Sequence, residues 1–160
     1  MKGLLSRVLV VVSGAEASIS AARYAIALSK AYGSEVTAAY VVDTASIMQL
    51  TASRIFVDDE SVEYERSLED TGRRYLAFVA ELAKAKGVAV STLLLRGSIA
   101  GEIVKAAEDT GADCIIMGGG EREAGFRDIL IEANREIART SSCPILVIKG
   151  GAGENAYKRA

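Results

Sequence analysis

Three consecutive glycines, Gly118–Gly120, follow a short apolar run that begins at Cys114, and an amphipathic pattern then continues to about Arg139. Glycine lets backbone approach a ligand closely, and a helix behind such a loop aims free N–H groups at its mouth. Those are the ingredients of a phosphate site, so the chemistry suggested is anion binding rather than bond making. The specificity of the signal is low. Neither G-x-x-x-x-G-K-[ST] nor a G-x-G-x-x-G after the first strand is present, and turn geometry alone accounts for the glycines at least as well.

The rest of the chain narrows the chemistry further. There is no histidine, which removes every Ser-His or Cys-His nucleophilic mechanism and the commonest metal ligand. Cys114 and Cys143 lie in or beside apolar runs without Cys-x-x-Cys spacing. They read as buried small hydrophobes in a reducing compartment, and no metal site is expected. A formal net charge of −2 over 160 residues gives no electrostatic case for nucleic acid or an anionic membrane surface. No window reaches the ~18–20 uncharged apolar residues of a membrane span, and no secretory signal opens the chain. A cytoplasmic protein is expected.

The elements that would position the glycines alternate regularly. Continuous apolar runs, the mark of strands covered on both faces, occur at Val8–Val12, Val36–Val42, Val88–Leu95, Cys114–Met117 and Ile145–Ile148. Helical patterns separate them. One carries Ile19, Ala22 and Ile26 and stops at Gly33, with Ser13 or Ser18 as a candidate cap. The second spans Glu60–Lys86, the third carries Ile103, Val104 and Ala107, and the last carries Phe126, Ile129, Leu130, Ala133 and Ile137. Five strands and four helices in alternation predict an α/β fold: one doubly wound, parallel sheet with helices on both faces. Its ligand crevice would lie beyond the carboxyl ends of the strands.

Two stretches fall outside that pattern. Thr44–Asp59 contains Ile47, Met48, Leu50, Ile55, Phe56 and Val57 without a clean period. It reads as a partly ordered flap that covers the crevice or meets a protein partner. Residues 151–160 read as a flexible C-terminal tail after a domain spanning 1–150. The last strand, Ile145–Ile148, would then be a flat apolar edge, and pairing with the same strand of a second copy would make a two-fold homodimer.

The order of elements and the local sequences together resemble the universal stress protein (UspA) family. The resemblance covers nearly the whole chain. It is clearest in Val8–Ser18, in Ala22–Asp43 with its closing Tyr-Val-Val-Asp, in Gly-Ala-Asp-Cys-Ile-Ile-Met-Gly up to Gly118, and in Ser-Cys-Pro-Ile-Leu-Val-Ile-Lys at Ser142–Lys149. It implies strand order 3-2-1-4-5, dimerisation through the last strand, and a role in stress responses without a defined reaction. It also implies that members divide into those that bind ATP, through G-x2-G-x9-G-[ST] after the fourth strand and an Asp after the first, and those that do not.

Laid on this chain, that motif is broken. The Asp is replaced by Ser13, although Gly14 follows it, and Val41 is kept as a source of main-chain contacts to a base. Met117 and Gly118 are in place, with Gly119 and Gly120 behind them, but the second motif glycine falls on Glu121, the third on Ile131 and the hydroxyl residue on Glu132. Ser13, Gly14, Val41 and Met117–Gly120 are thus a candidate nucleotide site weakened at Glu121, Ile131 and Glu132.

The expected function is a non-enzymatic, dimeric stress-response module with ATP binding lost or weakened and no cofactor. The alternative is a regulatory protein that binds AMP or ATP. A remote third reading is enzymatic. Ser13-Gly-Ala-Glu-Ala-Ser18 is similar to the S-G-G-x-D-S loop of ATP pyrophosphatases, but Ala17 stands where the acidic residue belongs.

Overall fold

The structure, a computed structural model, describes residues 3–55, 57–119 and 127–160, apart from the side chains of 127–130. Five parallel strands pair in the order β3-β2-β1-β4-β5. They are β1 (Arg7–Val12), β2 (Glu35–Asp43), β3 (Val90–Gly97), β4 (Cys114–Gly119) and β5 (Ile145–Lys149). The helices are α1 (Glu16–Tyr32), α2 (Thr44–Ala52), α3 (Asp58–Ala85), α4 (Ile99–Thr110), α5 (Arg127–Thr140) and α6 (Ala152–Arg159). The expected doubly wound sheet and its strand order are found.

Alternation along each strand divides the core into two layers. Val8, Val10, Val12, Ala38 and Val42 face α1 and α3, together with Ala21, Ala25, Leu76 and Val79. Leu9, Val11, Ala39, Ile115 and Met117 face the other side, against Ile103 and Ala107 of α4 and Ile137 of α5. Leu9, Ile103, Ile115, Ile116 and Ile137 are fully buried, and each such side chain contributes roughly 1.5–3 kcal/mol. Of the stripe expected on α5, Phe126 and the side chains of Ile129 and Leu130 lie outside the described residues.

Four local expectations differ from the structure. Neither serine caps α1; Ala15 occupies that position and makes no side-chain cap bond. The flap begins as a helix, α2, because the Asp43 carboxylate caps it, accepting from the Ser46 amide at 3.1 Å and the Ser46 hydroxyl at 2.7 Å. Phe56 lies outside the described residues. Residues 152–159, expected to be flexible, form α6, which packs along α1. Finally, β4 runs on through Gly118 and Gly119, so two of the three glycines belong to the sheet, not to a loop. Among the described residues no helix is long and apolar enough to cross a membrane.

Candidate functional site

The strand order reverses between β1 and β4. From there α1 leaves on one face of the sheet and α5 on the other, which opens the ligand crevice of a doubly wound sheet. Ser13, Gly14, Met117, Gly118 and Gly119 are brought together at its two sides, with Val41 on the neighbouring strand β2. Gly120 and Glu121 lie outside the described residues, as do Arg122, Glu123 and Gly125.

On the β1 side the loop closes on itself. The Ser13 amide donates to Ser18 Oγ at 2.9 Å, and Ser13 Oγ accepts from the Ala15 amide at 3.2 Å. The Ser18 hydroxyl lies 2.9 Å from both the Ser13 and Ala15 carbonyl oxygens. Ser18 is buried, and these bonds satisfy polar groups that would otherwise be costly to leave unpaired. The loop is therefore held in shape by bonds within itself. Behind it, the Tyr75 hydroxyl would sit 3.8 Å from a Cβ placed on Gly14. Tyr75 stacks on Tyr40, with ring centroids 6.4 Å apart and planes 9° from parallel. Burial pushes the Tyr40 phenol above its ordinary pKa, and Tyr75 and Tyr64 add to the rise. Gly72 on α3 leaves the space for this stack, since a Cβ there would press on the Tyr40 ring.

On the β4 side Met117 is buried, and Gly118 and Gly119 pair with Ile148 and Lys149 of β5. Neither glycine has positive φ. Space is what demands them. A Cβ on Gly118 would overlap the Ala17 carbonyl in the first turn of α1, and one on Gly119 would overlap Val147 Cγ1. The Gly118 carbonyl is held as well, accepting from Asn134 Nδ2 of α5 at 3.2 Å. Asn134 is a contact that sequence reasoning missed; a polar residue beside the apolar stripe of α5 was its only signal. Ile131 is half-buried and Glu132 exposed. Both lie inside α5, at least four residues beyond Arg127, where amides are engaged in the helix ladder rather than free for an anion.

Val41 is placed differently. The Glu35 amide bonds the Ser6 carbonyl on the β1 side of β2. In a parallel strand the direction alternates residue by residue, so Val41 also turns its main chain toward β1. Pairing with β1 stops at Val12↔Tyr40, and the Val41 carbonyl consequently points into the gap beyond the end of β1. Next to it, both Asp43 oxygens are occupied by Ser46. At the end of β3, Arg96 is tied to Glu65 at 2.8 Å and to Glu69, so the polar groups there pair with α3 rather than face the crevice.

Among the described residues no group of three or more His, Cys, Asp or Glu side chains could hold a metal. Cys114 packs in the layer with α1 and Cys143 against the layer with α4 and α5. Both are free thiols. Burial pushes the Cys114 thiol pKa up, which makes it a poor nucleophile.

This arrangement can be set beside known proteins. The family model described as the universal stress protein family matches residues 5–149. Universal stress protein MJ0531 of Methanocaldococcus jannaschii is 31% identical over 148 residues, spanning 92% of this chain and 84% of that protein. Among solved structures, hypothetical protein MJ0577 superposes with a TM-score of 0.75 at 22% identity, covering 92% of this chain and 98% of that one. The universal stress protein from Archaeoglobus fulgidus in complex with dAMP superposes with a TM-score of 0.59 at 16% identity, covering 92% and 100%. Sheet order, crevice position and a family match over nearly the whole length agree: the chain belongs to the universal stress protein family.

Proposed function

We propose that this protein is a non-enzymatic regulatory module of the stress response whose crevice no longer holds a triphosphate. The observation that carries the reading is that Ile131 and Glu132 stand where the family motif needs a glycine and a hydroxyl, and both lie inside α5. The Ser13–Ser18 loop is bonded to itself, and the Gly118 carbonyl is held by Asn134. Glu132 also adds a carboxylate. A like charge at ~4 Å costs about 1–4 kcal/mol for effective dielectrics of ~80 to ~20, and a triphosphate would meet it more than once. In a calorimetric titration, ATP is expected to bind more weakly than about 1 mM. Binding in the low micromolar range would overturn the reading.

A second reading keeps a smaller nucleotide. It is favoured by the dAMP complex of the Archaeoglobus fulgidus protein and by the Val41 carbonyl, an acceptor aimed where a base would lie. AMP carries less charge past Glu132 than ATP does. AMP binding at about 10–100 μM, with ATP at least tenfold weaker, would support it. Absence of AMP binding at millimolar concentration would remove it.

The working assembly we propose is a homodimer through β5. What supports it is the place of β5 at a sheet edge, paired among the described residues with β4 alone, with Val147 40% exposed. Open apolar edges are pairing sites unless shielded. Val147→Lys is expected to convert a dimer into a monomer at about 10 μM in sedimentation equilibrium, a loss of at least tenfold in association. A wild-type protein that is already monomeric would refute the assembly.

A further inference from the structure

The connection between α2 and α3 carries an apolar surface that the nucleotide crevice does not use. The Thr51 and Ser61 hydroxyl oxygens lie 2.5 Å apart, tying α2 to the first turn of α3. The Ile55 amide bonds back to the Leu50 carbonyl, which ends α2 in a turn ahead of α3. Ile47 turns inward and is buried, whereas Met48, Ile55, Val57 and Val62 are 71%, 64%, 62% and 53% exposed. Met48 lies one turn before Thr51, and Val62 directly follows Ser61. Single exposed aliphatics are ordinary on a protein surface, but four on one short hairpin exceed that background.

The charge around the cluster selects the partner. Asp58, Asp59, Glu60 and Glu63 are all exposed. The macrodipole of α3 compensates only about half a unit of that charge, and exposed Arg54 and Arg66 supply two cations against four carboxylates. A second copy docking by two-fold symmetry would set this acidic rim against itself, and an anionic bilayer would be repelled in the same way.

We propose that the α2–α3 hairpin is a docking surface for a cationic amphipathic helix of a partner protein. The apolar face of that helix covers Met48, Ile55, Val57 and Val62, and its Lys and Arg side chains meet the acidic rim. The proposal stands independently of whether the crevice binds a nucleotide.

The test uses a fluorescein-labelled helix of about 18 residues built from leucine and lysine, titrated with the full chain at 0.15 M salt and followed by anisotropy. The wild type should bind with a Kd of about 10–100 μM. Ile55→Ser/Val62→Ser should weaken binding at least tenfold at unchanged melting temperature, because both side chains are exposed. Asp58→Asn/Glu63→Gln should weaken it roughly threefold to fivefold, and a leucine–glutamate helix should not bind. Absence of binding, or binding that the Ile55/Val62 variant leaves unchanged, overturns the proposal. If that variant instead abolishes self-association, or co-sedimentation with phosphatidylserine vesicles, the surface serves a second copy or a membrane and the proposal is wrong.

Discussion

Gly118→Ala is expected to lower the unfolding free energy by about 3 kcal/mol, the upper end of what overpacking costs, and the melting temperature by roughly 6–12 °C. The added Cβ would overlap the carbonyl of Ala17, and backbone in the first turn of a helix cannot rotate out of the way. Relief requires α1 to move off β4, yet Ala21, Ala22 and Ala25 of that helix are fully buried against the sheet. Gly119→Ala is the control. Its obstacle is one methyl of Val147, a half-exposed side chain that can change rotamer, so about 1 kcal/mol is expected. Val147→Ala should restore most of that loss, whereas no single side-chain truncation should rescue Gly118→Ala. Urea denaturation of the four proteins reads the difference. The comparison also separates two accounts of the glycines. If they served chiefly to admit phosphate, both alanine variants would fold with near wild-type stability and differ only in ligand binding. Similar, small losses at both positions would contradict the packing account.

The contrast explains what was legible in the sequence. The strands of the interior declare themselves because a strand covered on both faces must be apolar at every position. Val8–Val12 and Cys114–Met117 satisfy that without ambiguity. With alternating helices, right-handed crossovers then leave few topologies. Gly118 and Gly119 were legible as special but not in meaning: glycine is equally the signature of ligand approach, of positive φ and of tight packing, and only the neighbour decides. The neighbours are Ala17, about 100 residues upstream in the chain, and Val147 on the adjacent strand. The same limit hid Asn134, whose partner is a carbonyl on another element. The α2 helix was hidden for another reason. Its start signal, Asp43 followed by Ser46, was present, but a nine-residue helix with one buried side chain leaves too short and irregular an apolar pattern for periodicity to register.

The C-terminal helix carries the second large effect. Gly153→Ala should cost about 2–3 kcal/mol even though alanine is intrinsically about 1 kcal/mol better than glycine inside a helix. The reason is contact. A Cβ on Gly153 would overlap the Ser20 carbonyl, because α6 lies directly on α1 there. That approach lets one buried hydroxyl serve both sides: Ser20 Oγ accepts from the Gly153 amide at 3.2 Å and donates to Glu154 Oε2 at 2.9 Å. Arg23 reaches Glu154 at 3.4 Å. Farther along, the Tyr157 hydroxyl donates to the Leu82 carbonyl at 2.8 Å, and Lys86 Nζ lies 4.7 Å from the Tyr157 ring centroid. Lifting α6 by the width of a methyl group would strain or break these contacts together. Gly151→Ala, with nothing within 4 Å of its Cβ and negative φ, should change stability by no more than about 1 kcal/mol, because the gain through the unfolded chain opposes the poorer N-cap preference of alanine. Hydrogen exchange distinguishes the two locally. Amides of residues 153–159 should lose protection in Gly153→Ala and keep it in Gly151→Ala, with β1 and β4 unchanged in both. Equal behaviour of the two variants would mean that α6 does not dock through Gly153. A glycine-rich, charged ending looks like a segment with no reason to stay. Here the glycine is the reason it stays, since no other residue lets the helix come close enough to Ser20.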